Sequence, residues 1–288
     1  MTGHRRSAAW AGAILGSLCA LFVLCLGARA SDHRGSLTEE FHQTYAITPD
    51  GRIALENING DVHISSWDRN EVKVDAIKYA DSKERLEEVR IEVDSAKDYL
   101  SIQTKYPEHD HNWGYHDRAA TVEYTLTVPR TSQLDEIKLI NGALNVSGVR
   151  GEVRASCING RLEAHDLAGR AELSTVNGSM KAAFAQLSGQ SIDLNSVNGS
   201  LDLTIPSDSN AEVEANTVSG SIANDFGLRV NNHRYVGHDL NGEIGNGGAH
   251  IGLRNVNGKV EIHHAQDGRA MSPVKDRNNH TDDEDSEI

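Results

Sequence analysis

The feature that most constrains this chain is a short recurring step: an aliphatic residue, then Asn, then Gly. From residue 141 onward, successive steps are separated by 18, 18, 21, 21, 22 and 16 residues. A period near 20 residues is typical of a solenoid, in which each repeat packs on its neighbours. The steps are Ile58-Asn59-Gly60, Ile140-Asn141-Gly142, Ile158-Asn159-Gly160, Val176-Asn177-Gly178, Val197-Asn198-Gly199, Val218-Ser219-Gly220, Leu240-Asn241-Gly242 and Val256-Asn257-Gly258.

The residues around each step alternate between apolar and polar. Around Asn159, for example, Val153 and Ala155 come six and four positions before, and Leu162 and Ala164 three and five positions after. A period of two is the pattern of a strand with one buried face. Each repeat is therefore predicted to contain a strand, an Asn-Gly corner, a second strand and a further bend at Gly.

Two arrangements of these strands fit the pattern. Asn-Gly between alternating strands is a strong signal for a type I′ hairpin, which would give an antiparallel meander. A coil is favoured because equivalent residues return at nearly constant spacing, so that like side chains can stack over like. The prediction is an all-β fold, a parallel β-helix or β-solenoid, with the right-handed sense that is usual for parallel crossovers.

The Asn and Gly residues are predicted to be the structural corners of this solenoid. Gly supplies positive φ, Asn tolerates the left-handed region, and stacked Asn side chains can hydrogen-bond along the axis. Cys157 precedes a corner by two positions, where other repeats carry Thr or Ser, so it is predicted to be a small filler residue. The predicted corner residues are Asn59, Gly60, Asn141, Gly142, Asn159, Gly160, Asn177, Gly178, Asn198, Gly199, Gly220, Asn241, Gly242, Asn257 and Gly258.

The pattern also divides the chain into regions. Residues 41–130 contain several alternating strands but lack the tight period, and are predicted to form an N-terminal β cap over the exposed strand edges of the solenoid. Residues 31–40 are a linker and residues 131–265 hold the solenoid repeats. Residues 266–288 have no periodicity and end in an acidic run, so they are predicted to be a disordered tail.

Residues 1–30 have the parts of a secretory signal peptide. Arg5 and Arg6 precede an apolar run from Ala8 to Gly27, and Ala28-Arg29-Ala30 fits a small-residue cleavage site. About 20 apolar residues can also span a bilayer, so an uncleaved membrane anchor is the alternative. The protein is predicted to be exported to the periplasm, the cell surface or the medium, and to meet a membrane only if this segment is uncleaved.

Charge and cysteine content exclude two classes. The chain has 42 Asp and Glu against 28 Lys and Arg, a formal net charge of −14. The first thirty residues hold three Arg and no acid, so a chain beginning at Ser31 carries −17. No nucleic-acid partner is expected, because neutralising phosphates needs a basic surface. After the signal segment Cys157 is the single cysteine, so this chain is not a disulfide scaffold.

Three features in this order resemble a known family. A Trp67-Asp68 turn follows the first unit, then a strand Tyr124-Thr125-Leu126-Thr127-Val128-Pro129, then serial Val/Ile-Asn-Gly-Ser units. Over residues 41–265 this is similar to the bacterial β-strand-repeat domain of unknown function whose members are often labelled candidate adhesins. The resemblance implies an exported β-solenoid protein of the cell envelope. That family has no established catalytic residues to carry over.

One loop has residue types that suit a metal ion. His109, His111 and His116 lie together with several carboxylates. Three imidazoles with carboxylates can bind Zn²⁺ or another transition metal. The spacing matches no defined motif, so a polar loop between two strands is the alternative.

No catalytic or cofactor signature is present: the chain has no phosphate loop, no Ser-His-Asp signature and no dinucleotide fingerprint. No cofactor is predicted. The predicted function is a non-catalytic, adhesin-like binding or structural module of the cell envelope, with an envelope protein or a glycan as partner. The alternatives are a carbohydrate-active β-helix enzyme, such as a polysaccharide lyase or glycosidase, and a membrane-anchored component of the envelope-stress response.

Overall fold

The computed structural model describes residues 36–107, 120–232 and 237–277, which form 22 strands and one short helix, α1 (Lys83–Glu88), numbered here in chain order. The strands lie in two sheets. The ten-stranded sheet contains, in spatial order, β1 (Leu37–Ala46), β4 (Glu71–Ala80), β7 (Thr121–Pro129), β3 (Val62–Trp67), β9 (Leu144–Ser147), β11 (Leu162–Leu167), β13 (Met180–Phe184), β15 (Leu201–Ile205), β21 (Val260–His264) and β17 (Ile222–Asn224). The twelve-stranded sheet contains β18 (Asn231–Asn232), β19 (His238–Ile244), β16 (Ala211–Ser219), β20 (Ala249–Asn257), β14 (Ser191–Asn198), β12 (Ala171–Asn177), β10 (Val153–Asn159), β8 (Gln133–Asn141), β2 (Arg52–Asn59), β6 (Tyr99–Lys105) and β5 (Arg90–Ser95), with β22 (Val274–Asp276) paired to β19.

Each repeat crosses from one sheet to the other at its Asn-Gly corner. Strand β10 lies in the twelve-stranded sheet, and β11, which follows the corner, lies in the ten-stranded sheet. Successive repeats pair in parallel and in register, so that Asn159 stands opposite Asn177 and Leu162 opposite Met180. The prediction of an all-β solenoid is confirmed. The alternative of an antiparallel meander is wrong for these repeats, because the two strands at a corner do not pair with each other.

The core lies between the two sheets and is built from columns of like side chains. One column contains Leu144, Leu162, Met180, Leu201 and Val260, all of which are fully buried. Burying one aliphatic side chain contributes about 1.5–3 kcal/mol. Each coil obtains this contribution only by stacking on its neighbours, so the repeats depend on one another for stability.

The last coil in the sequence is not the last coil in the stack. The coil of β20 and β21 lies between two earlier coils: Asn257 aligns with Asn198 on one side and with Ser219 on the other. The chain therefore reaches the end of the stack at residues 211–224 and then returns to place residues 249–264 inside it. Each coil stacks on the one before it in sequence only as far as β15.

The predicted corner at Asn241 and Gly242 is wrong. Both residues lie within β19, which runs antiparallel to β16 and places Asn241 opposite Glu214. Strand β19 pairs with the edge of the end strand β16, so no further coil continues from this point and no corner is needed. Position 242 requires glycine for a different reason: an added Cβ would lie 2.5 Å from Cδ2 of Leu228.

At the other corners the backbone of one coil lies directly against that of the next. Gly160 and Gly178 both have a φ of +154°, and a Cβ on Gly178 would lie 1.8 Å from the carbonyl oxygen of Gly160. Beside them, the corner asparagines form a chain of hydrogen bonds of 2.8–3.0 Å, in which each Nδ2 donates to the Oδ1 of the neighbouring coil. The bonds run from Asn141 to Asn59, from Asn159 to Asn141, from Asn177 to Asn159, from Asn198 to Asn177 and from Asn257 to Asn198.

The sheets extend past two of the region boundaries that the sequence predicts. Strand β1 begins at Leu37, so residues 37–40 of the predicted linker pair with β4. Strand β22 pairs with β19, so the predicted disordered tail is part of the sheet as far as Asp276. In both places the segment pairs with a strand at the edge of a sheet. The repeat period does not reveal this pairing. Residues 278–288 lie outside the described residues.

Gly178→Ala is expected to destabilise the protein more than Gly189→Ala. Both glycines have positive φ, but an added Cβ would meet a backbone carbonyl oxygen at Gly178 and nothing within 4 Å at Gly189. Positive φ alone costs an alanine about 1–2 kcal/mol, and overpacking adds about 1–3 kcal/mol. Urea unfolding should therefore give a loss of about 3 kcal/mol or more for Gly178→Ala and about 1–2 kcal/mol for Gly189→Ala. Equal losses would contradict the close approach at the corners.

Candidate functional site

The metal site that the sequence predicts falls on residues whose positions the structure does not describe. His109, His111 and His116 lie outside the described residues. Across residues 36–107, 120–232 and 237–277, no group of three or more His, Cys, Asp or Glu side chains is placed to hold a metal ion.

Cys157 is a buried structural residue, 1% exposed, whose Sγ donates to the carbonyl oxygen of Gly142 at 3.4 Å. Burial, with a smaller contribution from the charge of Asp61, raises the pKa of the thiol to about 11. The thiol therefore stays protonated at neutral pH, whereas a reactive cysteine needs the thiolate.

The most unusual surface feature is a line of exposed aliphatic side chains along the stack, which we call the aliphatic ladder. Eight large hydrophobic side chains are exposed among the described residues, and six of them belong to this line. Exposed aliphatic residues that gather in one place, rather than scatter singly, mark interaction surfaces. In stacking order the ladder consists of Ile140, Ile158, Val176, Val197, Val256 and Val218, which are 37–52% exposed.

The ladder points outward because of the strand period. In β12, Leu173 and Thr175 face the core, so Val176 lies on the outer face immediately before the corner. The sequence contained this signal, since an aliphatic residue stands where the alternation calls for a polar one. Periodicity alone does not reveal the ladder, because the same aliphatic residue also belongs to the corner step.

Burying the ladder against a partner would contribute hydrophobic free energy that the isolated molecule does not gain. Full burial of a Val or Ile side chain contributes about 1.5–3 kcal/mol. At roughly two-fifths exposed, each rung can give a partner on the order of 1 kcal/mol. Association costs at least about 4 kcal/mol, so a partner must contact several rungs at once or obtain polar contacts as well.

Polar contacts are available where the ladder borders a groove of about 780 Å³, a volume within the usual range of ligand sites. Val176, Val197, Val256 and Val218 lie along this groove, and β19 contributes the residues from His238 to Asn241. Outward polar side chains of the twelve-stranded sheet complete the lining, aligned from strand to strand. They are Ser174, Asn195, Arg254 and Asn216.

The acidic groups of the groove already have partners. The Oε1 atom of Glu214 accepts a hydrogen bond from Nδ2 of Asn216 at 3.2 Å. The Oδ2 atom of Asp239 accepts one from Nδ2 of Asn231 at 3.1 Å.

The side chains of Arg254 and Asn195 differ from these acids, because neither has a hydrogen-bond or ion-pair partner among the described residues. Arg254 is an exposed residue. It can therefore donate to a ligand without first breaking a contact to a described residue.

A pair of carboxylates lies on the other sheet, outside the groove. Asp202 of β15 and Glu261 of β21 stand opposite each other on adjacent strands. Burial raises the pKa of Asp202, and the neighbouring Glu261 raises it further. The hydrogen bond from Lys259 is the main reason that the pKa of Glu261 is lowered. The Oδ1 atom of Asp202 is buried without a hydrogen-bond partner in the described part of the chain.

A Ser–His contact is also present, but it does not form a nucleophile. The Oγ of Ser207 lies 3.0 Å from Nδ1 of His264 and donates to the carbonyl oxygen of Ala265 at 2.5 Å. Ser207 is 1% exposed, so a substrate cannot reach its hydroxyl group.

The fold and the corner steps together define a β-solenoid repeat protein. The chain belongs to the Toastrack DUF4097 family, which it matches over residues 51–263. The resemblance inferred from the sequence is thereby confirmed. No curated protein matches the chain.

Several solved structures are similar in fold. A candidate cell adhesion protein from Clostridium sporogenes ATCC 15579 is 12% identical, with a TM-score of 0.48 and coverage of 79% of this chain and 100% of its own. A candidate adhesin from Bacteroides fragilis NCTC 9343 is 11% identical, with a TM-score of 0.33 and coverage of 79% and 97%. A candidate lipid binding protein from Parabacteroides distasonis ATCC 8503 is 12% identical, with a TM-score of 0.27 and coverage of 80% and 97%. At these TM-scores the likeness carries no argument about this chain.

Among the described residues, no helix is long and apolar enough to cross a membrane. The apolar run from Ala8 to Gly27, predicted as a signal segment or anchor, lies outside them.

Asp202→Asn is expected to stabilise the protein at pH 7. The folded-state pKa of Asp202 lies above its unfolded value, so the folded state loses stability as the pH rises through that pKa. An amide at this position has no charge and can donate a hydrogen bond to Glu261. This should raise the free energy of unfolding by about 1 kcal/mol, or the Tm by roughly 2–4 °C. The gain should vanish near pH 3, below the ordinary pKa of about 3.9.

Glu163→Gln is the matched control for Asp202→Asn. Glu163 lies on the same outer face, but its partners on the adjacent strands are Asn145 and Lys181 rather than an acid. Thermal unfolding at pH 3 and pH 7 should show no gain for this control. The interpretation of the carboxylate pair is wrong if both variants behave alike, or if the gain of Asp202→Asn persists at pH 3.

Proposed function

We propose that this protein is a non-catalytic binding module of the cell envelope that contacts its partner along the aliphatic ladder. The observation that carries the proposal is the line of six exposed aliphatic side chains, one from each of six stacked coils. Polar residues at these outward positions would leave the core unchanged. The repetition of aliphatic residues on the outer face therefore supports a role in contact with another molecule.

The partner must be long and narrow. Five steps between coils separate Ile140 from Val218, and at about 4.8 Å per step the ladder runs about 24 Å. Because each rung supplies only on the order of 1 kcal/mol, a compact ligand on one or two rungs would not repay the cost of association. An extended molecule that follows the ladder satisfies this requirement.

Three features favour binding over catalysis. The carboxylate pair of Asp202 and Glu261 belongs to the ten-stranded sheet, whereas the groove is lined by the twelve-stranded sheet. A glycoside hydrolase needs its two carboxylates on either side of a bound sugar. The hydroxyl of Ser207 is buried, and the thiol of Cys157 stays protonated because burial raises its pKa.

Export is part of the proposal and rests on the basic, apolar and small-residue order of residues 1–30. The N-terminal strands support a capping role, since β4 and β5 pair antiparallel at the ends of the parallel ladders of coils. The right-handed sense of the coil rests on the general preference of parallel crossovers.

Site-specific photo-crosslinking in cells that produce the full chain tests the binding surface. The photoreactive residue p-benzoylphenylalanine would replace Ile158 on the ladder or, as a control, Glu163, which faces outward from the other strand of the same coil. We expect a discrete adduct from position 158 and none from position 163. The adduct should disappear when Ile140→Asp and Val176→Asp are added, because charges on the adjacent rungs disrupt apolar contact.

The two aspartate substitutions lie at exposed positions, so the Tm should change by no more than a few degrees. Equal adducts at positions 158 and 163 would contradict the proposal. So would an adduct at position 158 that survives both aspartates.

A further inference from the structure

The groove contains the parts of a site for an anion. Arg254 on β20 stands in register with Asn195 on one side and Asn216 on the other. Among the described residues, Arg254 and Asn195 have no side-chain partner. A guanidinium and an amide on adjacent strands can both donate to one carboxylate, and charge-assisted hydrogen bonds of this kind are the stronger ones.

The groove also contains an apolar track beside these donors. Val256 is two positions after Arg254 on the same strand, and Val197 and Val176 continue the line on the next two strands. Side chains two positions apart lie on the same face of a strand. A ligand held at Arg254 can therefore lay an apolar chain along these three valines.

We infer that the groove binds a long-chain aliphatic carboxylate, with its carboxylate at Arg254 and Asn195 and its chain along Val256, Val197 and Val176. This inference rests on the proposed binding function and names the ligand class for one end of the ladder. No ion pair joins Arg254 to Glu214 or Asp239, whose side chains accept hydrogen bonds from Asn216 and Asn231.

An alkyl chain fits this track better than a peptide. The strands beneath the ladder pair with one another in the sheet, and β19 is paired on both sides. No strand edge among the described lining residues is left to pair with a peptide. A peptide against the valines would leave its own N–H and C=O groups unsatisfied, whereas an alkyl chain has none.

An alkyl chain also fits better than a glycan. Sugars bind through many hydroxyl groups and favour aromatic platforms. The imidazole of His238 is the single aromatic ring among the described lining residues, and its Nδ1 is engaged at 2.6 Å with Oδ1 of Asn232. The apolar side chains among the described lining residues are all aliphatic.

Isothermal titration calorimetry of the full chain with palmitate, below its critical micelle concentration, tests the inference. We expect saturable binding that weakens about tenfold in Arg254→Gln, from the removal of one charge-assisted contact. Val197→Thr should weaken binding about threefold. Hexanoate should bind far more weakly than palmitate, since each buried methylene strengthens binding about twofold to fourfold.

Two matched variants separate the groove from the rest of the surface. Ile140→Thr matches Val197→Thr, but Ile140 is a ladder residue outside the groove. Lys181→Gln matches Arg254→Gln, but it removes a cation from the other sheet. Both should bind palmitate like the unmodified chain, and all four variants should keep their Tm.

The inference is overturned if palmitate does not bind, if Arg254→Gln has no effect, or if Ile140→Thr and Lys181→Gln weaken binding as much as the groove variants do. The proposed function survives any of these results if the crosslink at position 158 is still formed and still lost with the flanking aspartates. Failure of the crosslink together with normal palmitate binding would instead reject the ladder as a partner surface and leave the groove as a small-ligand site.

Discussion

The rest of the structure depends on the contact between the glycine backbones of neighbouring coils. At the stacked corners other than Gly60, the space for a Cβ is filled by the carbonyl oxygen of the glycine in the adjacent coil, at 1.8 Å for Gly160 and Gly178. This contact fixes how closely and in what register the coils lie. Once the register is fixed, the asparagines must meet, the core residues must form columns, and the residues before the corners must line up on the surface.

The surface line is therefore a product of the same geometry as the core. In an isolated coil, an outward valine such as Val197 would be one of many scattered apolar residues on a protein surface. Stacking in register places it directly between Val176 and Val256 and converts single residues into a continuous apolar track. The packing of the core and the exposed apolar track thus come from one constraint.

Much of the fold could be predicted from the sequence, because its determinants are local and repeated. The alternation around Asn159 identifies strands, and the Gly after it identifies a corner. The insertion of residues 249–264 into the stack could not be predicted, since the Asn-Gly step is the same wherever a coil lies. For the same reason the step at Asn241 predicts a corner, whereas its pairing with Glu214 places it in a strand.

The candidate site likewise has one part that the sequence reveals and one part that it does not. The ladder is visible in the sequence as an aliphatic residue out of phase with the core. The groove is not, because it forms where β19 returns to the edge of β16 and so brings His238 near Arg254. That approach joins segments whose pairing follows from the tertiary fold rather than from any periodic pattern.

The most direct test of the account is a set of distances along one outer column of the ten-stranded sheet. Spin labels would be placed at Asn145 and, in turn, at Asp202, Glu261 or Ala223, in a chain whose native cysteines are replaced by serine. Pulsed electron–electron double resonance should give backbone separations that rise with each coil, about 14, 19 and 24 Å in that order. A shorter distance to Ala223 than to Glu261, or distances that do not rise along the column, would contradict the stacking of coils on which every other conclusion rests.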